Sequence, residues 1–262
     1  MKLTFLGTCS GTEPVPGCKH VAFTIEHDGG VYWFDAGEGC SYTAHLLGID
    51  LAAVRAVFIS HTHMDHIGGL ENLFWNMRKL TTVDAEIAER LRGSTIRVLI
   101  PDLGVWRHVL GVLGGTEGGF KIDYHIEGAR VRDGVLYDES GLRVTALHNR
   151  HLGEPEDGES WRSYSFGIEA GGKHVVFSGD VKDVRELAPL LDRCDLLLME
   201  TGHHAADDVC RTLVAMDAVP ARLGFIHHGR AILDDPEGEC AKSRAVLGDR
   251  VFIADDGIQL EL

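Results

Sequence analysis

The sequence has no apolar run long enough to cross a bilayer. Its longest, such as DLLLM at 195–199, are the size of single strands, which excludes a transmembrane helix. Met1-Lys2 lead into LTFLGTCSGT, too short and too polar for the apolar stretch of a signal peptide, so a cytoplasmic location is expected. No C-x-x-C pair occurs among the cysteines at 9, 18, 40, 194, 210 and 240; reduced thiols are expected rather than a disulfide framework. There is also no run of basic residues. Lys and Arg number 25 against 40 Asp and Glu, for a formal net charge of -15. Such a chain repels a long polyanion unless its acids segregate from a basic patch, so long nucleic acid is disfavoured as a partner, but a small anion is not. No low-complexity linker or short repeat divides the 262 residues, which read as a single domain over 1–262.

What is present is an alternation of strands and helices. KLTFL, VAFTIEH and VYWFDAG are β-branched or aromatic runs broken by glycines, an antiparallel start. EGCSYTAHLLG predicts a helix ending at Gly48, and AVFIS a short buried strand. Leu70, Leu73, Phe74 and Met77 recur at helical spacing. IRVLIP opens a second half, with a helix over DLGVWRHVLGVL and strands over KIDYHIE and LRVTAL. SYSFGIEA and KHVVFSGD predict a hairpin around Gly171-Gly172. Helices are predicted over 183–191, 206–217 and 237–247, between the strands DLLLME, LGFIHHG, VFIADD and IQLEL. Two β-rich layers with helices outside make an α/β, four-layer αββα sandwich.

Residues 61–69, HTHMDHIGG, place three histidines and an aspartate within six positions, directly after a buried strand. Side chains at i and i+2 of extended backbone share a face, so His61 and His63 can meet one ion. Asp65 and His66, after a bend, can face a second, and Gly68-Gly69 leaves room for close backbone packing. Catalytic zinc takes three protein ligands and an open position, so further ligands must come from elsewhere. Candidates stand at the ends of later strands: His148 and His151, Asp180, His203 and His204, His227 and His228. Asp35 either supports a ligand imidazole and the cluster loop or caps the helix after it. Trp75, Trp106 and Trp161 line a pocket or pack the core, and EPEDGESWR at 154–162 is a lid or a solvated turn.

HTHMDHIGG, with FLGTCSG, FDAGEG and FSGD around it, resembles the H-x-H-x-D-H motif set of the metallo-β-lactamase-fold hydrolases over essentially the whole chain. FLGTCSG and FDAGEG are most similar to its ribonuclease Z and small-phosphodiesterase branches. The resemblance implies two divalent ions, Zn2+ suiting the His-rich set and Mn2+ or Fe2+ also compatible. It assigns the first ion His61, His63 and His151, with His148 as competitor. The second takes Asp65, His66 and His227, with His228 as neighbour, and Asp180 bridges. ETGHH compresses a Glu-containing motif whose histidine donates a proton, so either His203 or His204 is the donor, or both are a solvent-facing pair. Asp65 orients the nucleophile as well as binding metal. Two ions about 3.5–4 Å apart share a water and acidify it, and the resulting hydroxide attacks a phosphorus or carbonyl centre. Cys9 and Cys18 are similar in place to a Cys-rich insertion of some small phosphodiesterases, but its other cysteines are missing here. The implied function is hydrolysis of a small phosphodiester. The rivals are ribonuclease Z-type processing of transfer-RNA 3′ ends and a non-catalytic metal-binding assembly module. A homodimer is compatible with the resemblance.

Overall fold

The computed structural model describes residues 1–116 and 119–262. Its strands are β1 (Lys2–Gly7), β2 (Ala22–His27), β3 (Gly30–Phe34), β4 (Val54–Phe58), β5 (Thr95–Ile100), β6 (His125–Arg130) and β7 (Gly134–Glu139), then β8 (Leu142–His148), β9 (Tyr164–Ala170), β10 (Lys173–Phe177), β11 (Leu196–Thr201), β12 (Arg222–His228), β13 (Val251–Ile253) and β14 (Gln259–Glu261). They form two seven-stranded sheets, in the orders β14-β1-β2-β3-β4-β5-β6 and β13-β12-β11-β10-β9-β8-β7.

The sheets follow one plan. In the first, β1, β2 and β3 are antiparallel, as the Gly-punctuated runs implied, and β3 to β6 are parallel. In the second, β7 to β10 are antiparallel and β10 to β13 are parallel. The predicted hairpin turns at Gly171 and Gly172, both with positive φ. Loops that leave the carboxyl ends of parallel strands gather at one edge, where open α/β sheets place their sites.

Alternation along the strands separates three apolar layers. Between the sheets, Phe23, Phe34 and Phe58 stack in a row at 4.9 Å spacings, and Phe166 of the facing sheet meets Phe34 and Phe58 edge-on. Aromatic pairs favour these offset and T-shaped arrangements. Outside the first sheet, helices Cys40–Leu46, Leu70–Val83 and Leu103–Gly115 bury Ala44, Leu73, Phe74, Met77, Trp106 and Val109. Outside the second, the segment Val184–Leu190 and helix Ala206–Ala215 bury Val184, Leu187, Val209 and Leu213. The four-layer αββα sandwich is therefore the fold. Among the described residues, no helix is long and apolar enough to cross a membrane.

Three local differences from the sequence expectations have physical causes. The KIDYHIE strand starts at His125, where pairing with Thr95 of β5 begins. Residues 184–190 wind as a 3-10 helix with Pro189 inside it, a residue that cannot donate an i→i−4 bond. Strand β7 showed no alternation because Tyr137 is its one buried residue.

Phe34 is fully buried at the centre of the inter-sheet aromatic row. Phe34→Ala is expected to lower the unfolding free energy by roughly 3–5 kcal/mol, measured by urea denaturation.

Candidate metal centre

Asp35 follows β3 and is fully buried. Its carboxylate accepts from the Ser60 backbone N–H at 2.7 Å, the Ser60 hydroxyl at 2.8 Å and His66 Nδ1 at 2.7 Å. One side chain thus ties the end of β3 to the end of β4. It also fixes the His66 tautomer, with the proton on Nδ1 and Nε2 turned the other way. The helix-capping alternative does not occur: the N-cap of Cys40–Leu46 is Gly39, with no side-chain cap. Gly69 serves the close packing foreseen for it, since a Cβ there would lie 2.3 Å from the Gly37 carbonyl oxygen.

Six of the predicted residues gather around a seventh, Asp180, which follows β10 and is 2% exposed. Its Oδ2 lies 3.7 Å from His61 Nε2 and 3.6 Å from His151 Nε2, and His63 Nδ1 is 3.5 Å from His151 Nε2. Its Oδ1 lies 3.3 Å from His66 Nε2 and 3.4 Å from His227 Nε2. His227 Nε2 is in turn 3.0 Å from Asp65 Oδ2. Two groups of potential ligand atoms therefore share one carboxylate: His61, His63, His151 with Asp180, and Asp65, His66, His227. Gly202 makes room for this, because a Cβ there would stand 2.7 Å from His227 Nδ1.

The two competitors lie outside the cluster. His148 pairs through Nδ1 with Asp133 at 2.7 Å and stacks on Trp161, with ring centroids 4.0 Å apart. His228 donates from Nε2 to the Ala254 carbonyl at 2.8 Å. His203 and His204 part company. His203 is half exposed and adjoins the centre, its Nδ1 donating to Glu200 Oε1 at 3.1 Å and lying 3.8 Å from Asp180. His204 donates from Nε2 to the Val181 carbonyl at 2.9 Å and lies 3.5 Å from Glu200 Oε1. None of Trp75, Trp106 and Trp161 lines the cavity over the cluster; all three pack against the apolar layers.

The electrostatics are those of a site built for positive charge. Burial alone would raise the Asp180 and Asp65 carboxyls, but the surrounding imidazoles hold both well below the usual carboxylate range. Burial would also lower His66, yet Asp180 and Asp35 hold it well above its ordinary value. Burial pushes His61 down, and the neighbouring His66 adds to this. Glu200 is brought down to about 2: burial opposes this, and hydrogen bonds from His203 and His227 outweigh it. The donor set fits divalent metal. His61 Nε2 and Asp180 Oδ1 are buried polar atoms with no hydrogen-bond partner, and both face the cluster. Buried polar atoms are seldom left so without a function.

The cavity over the cluster has a volume of about 350 Å3 and includes Ser10, Gly11, Thr12, Gly202 and Arg230 besides the histidines and aspartates. The sequence reading missed Ser60, Ser10, Thr12 and Arg230. Ser60 had a signal, as the polar residue closing AVFIS. Arg230 had one too, following His227-His228 by a single glycine.

Residues 1–223 match the family described as Anti-Pycsar protein Apyc1. The chain belongs to the Anti-Pycsar protein Apyc1 family. It is also similar to Ribonuclease Z of Haloferax volcanii, 25% identical over 318 residues that span 100% of this chain and 95% of that protein. Among solved structures, human tRNase Z, short form, aligns with a TM-score of 0.72 at 18% identity, covering 100% of this chain and 99% of the human one. YhfI from Bacillus subtilis, a metallo-beta-lactamase fold protein, aligns with a TM-score of 0.71 at 18% identity, covering 99% and 98%. This Apyc1-family chain therefore has the metallo-β-lactamase fold, and its sequence is similar to ribonuclease Z.

Two predictions follow from these contacts. Asn tolerates the left-handed φ of 50° at position 35 but carries one acceptor oxygen where the carboxylate has two. Asp35→Asn is expected to weaken metal binding by about 10–100-fold in a chelator competition, with the circular dichroism spectrum retained. Burial pushes the His228 imidazole down to about 4, whereas an unfolded His titrates near ~6.5. The unfolded chain therefore takes up this proton first. The contribution is complete above about pH 6.5 and is lost as pH falls towards 4, for about 3 kcal/mol. His228→Gln keeps a donor and should flatten this part of the urea-stability profile of chelator-treated protein between pH 7 and pH 4.

Proposed function

We propose that this chain is a dinuclear metal-dependent phosphodiesterase acting on a small phosphodiester, with residues 1–262 as one catalytic domain. The observation that carries the reading is Asp180 standing between two groups of ligand-type atoms, one oxygen turned to each. His61, His63 and His151 would hold one ion and Asp65, His66 and His227 the other, with Asp180 within reach of both groups. When bound, the ions supply an acidified water and neutralise substrate oxygens. Zinc suits the thiolate-free imidazole set, and manganese or iron is compatible with it.

The chain's own groups do the rest. Asp65 orients the attacking water towards phosphorus. Asp35 keeps His66 in the tautomer that offers Nε2 to the second ion. Glu200 accepts a hydrogen bond from His203 Nδ1, and that bond is the largest cause of the raised His203 pKa. His203 is thereby set to hand a proton from Nε2 to the departing oxygen as the P–O bond breaks. His204, bonded to Val181, steadies the loop after Asp180.

Size and charge favour a small substrate. The cavity of about 350 Å3 suits a single small ligand, and the formal net charge is -15. The curated relatives named Ribonuclease Z weigh against excluding RNA outright, and they keep transfer-RNA processing as the second reading. Both readings share the bond that is cut. Binding of RNA that falls steeply with salt would favour the second.

The test is hydrolysis of bis(p-nitrophenyl) phosphate by zinc- or manganese-loaded protein with its metal content measured. Turnover is expected in the wild type, and a loss of at least about 100-fold in Asp65→Asn. Protein that holds two metals per chain yet cleaves no phosphodiester would overturn the proposal.

A further inference from the structure

Among the described residues lining the cavity over the metal centre, Arg230 is the one that carries a lysine or arginine charge. It is the first residue of the short helix Arg230–Asp234, three positions beyond His227. Its guanidinium is half exposed and pairs with Glu13, which is 68% exposed. Glu13 belongs to the irregular loop between β1 and β2.

Both partners are held from behind. The Ser10 hydroxyl and backbone N–H donate to the His228 carbonyl at 2.8 and 3.2 Å, and His228 N–H donates to the Thr8 carbonyl at 2.7 Å. The β1–β2 loop is thus fastened to the end of β12, two residues before Arg230. A Cβ on Gly229 would stand 2.7 Å from the Thr201 carbonyl oxygen, so the turn that presents Arg230 is also packed in place. The backbone before Arg230 is fixed by these contacts, and the two charged ends meet in solvent. An exposed ion pair of this kind is weak and easily exchanged.

The chemistry of the exchange is specific. Guanidinium offers a planar fork of donors that matches a carboxylate or a phosphate equally well. In a chain of formal net charge -15, a lone arginine at the mouth of an anion-accepting cavity has a use beyond its surface partner. We infer that Arg230 is the residue that recognises the substrate's phosphate from the protein side, and that Glu13 occupies its guanidinium until the substrate displaces it. The inference rests on the phosphodiesterase reading of the centre and adds a specificity determinant to it. Arg230 sets affinity for an anionic diester, and Glu13 competes against that affinity.

The two residues should therefore act in opposite directions. With bis(p-nitrophenyl) phosphate and zinc-loaded protein, Arg230→Gln is expected to raise KM about 10–100-fold, the range of a charge-assisted hydrogen bond. Its kcat and its metal content should stay close to wild type. Glu13→Gln is expected to lower KM several-fold. A second measurement uses inorganic phosphate as the probe, titrated calorimetrically into the metal-loaded proteins without turnover. Arg230→Gln should weaken phosphate binding and Glu13→Gln strengthen it. An unchanged KM and phosphate affinity in Arg230→Gln would overturn the inference. So would the same direction of change in both variants, because that is the signature of a pair that only braces the loop. If the wild type cleaves no diester, the phosphodiesterase reading fails, and the phosphate titration still decides the role of Arg230.

Discussion

A buried carboxylate, Asp180, is the constraint around which the centre is arranged. A lone carboxylate with so little exposure would be expelled or neutralised. Here it keeps its charge because imidazoles approach it from both sheets. His61 and His66 come from the segment after β4 in the first sheet, His66 within the short helix Met64–Ile67, and from the second sheet His151 comes from the turn after β8 and His227 from β12. The seam between the sheets is thus the site, and neither sheet holds a complete set. The aromatic row between the sheets sets their separation and, with it, whether the two half-sites meet.

Rigidity around this seam is achieved through close contacts and an uncommon backbone. Asp35 and His227 both have positive φ, at 50° and 55°, a left-handed conformation that costs non-glycine residues about 1–2 kcal/mol. The hydrogen bonds of Asp35 and the packing of Gly202 against His227 hold these conformations in place. Strain kept at a site by the surrounding structure is a mark of pre-organisation. The mouth of the cavity contrasts with the floor. At the floor, His61, His66, Asp180 and His227 are buried, whereas Arg230 and His203 at the rim reach solvent, as does Glu13 beside Arg230. The floor is suited to holding metal and the rim to exchanging partners.

Much of the fold was legible because burial leaves a periodic trace. β1 to β4, the hairpin at Gly171-Gly172 and the helix ending at Gly48 follow from apolar runs and glycine punctuation. β7 was not legible, because an edge strand that buries only Tyr137 leaves no alternation. The candidate site was legible in its residue types, since HTHMDHIGG places four potential donors within reach along the chain. The later partners were visible only as histidines and an aspartate at strand ends.

The sequence by itself determined that metal-ligating side chains follow buried strands, that the chain carries a large negative charge, and that two β-rich layers need helices outside them. Those properties are local, or are sums over composition. Only the tertiary structure decided between neighbours: His151 over His148, His227 over His228, and His203 over His204 beside the centre. His227 and His228, adjacent at the end of β12, point to opposite faces, whereas the other two pairs are set by the loops that follow β8 and β11. Which of a pair faces the seam depends on partners distant in the chain. Asp133 draws His148 away, Ala254 draws His228 and Val181 draws His204. The meeting of Glu13 and Arg230 beside the cavity is of the same kind, for it exists only once the loop after β1 has been tied to the end of β12.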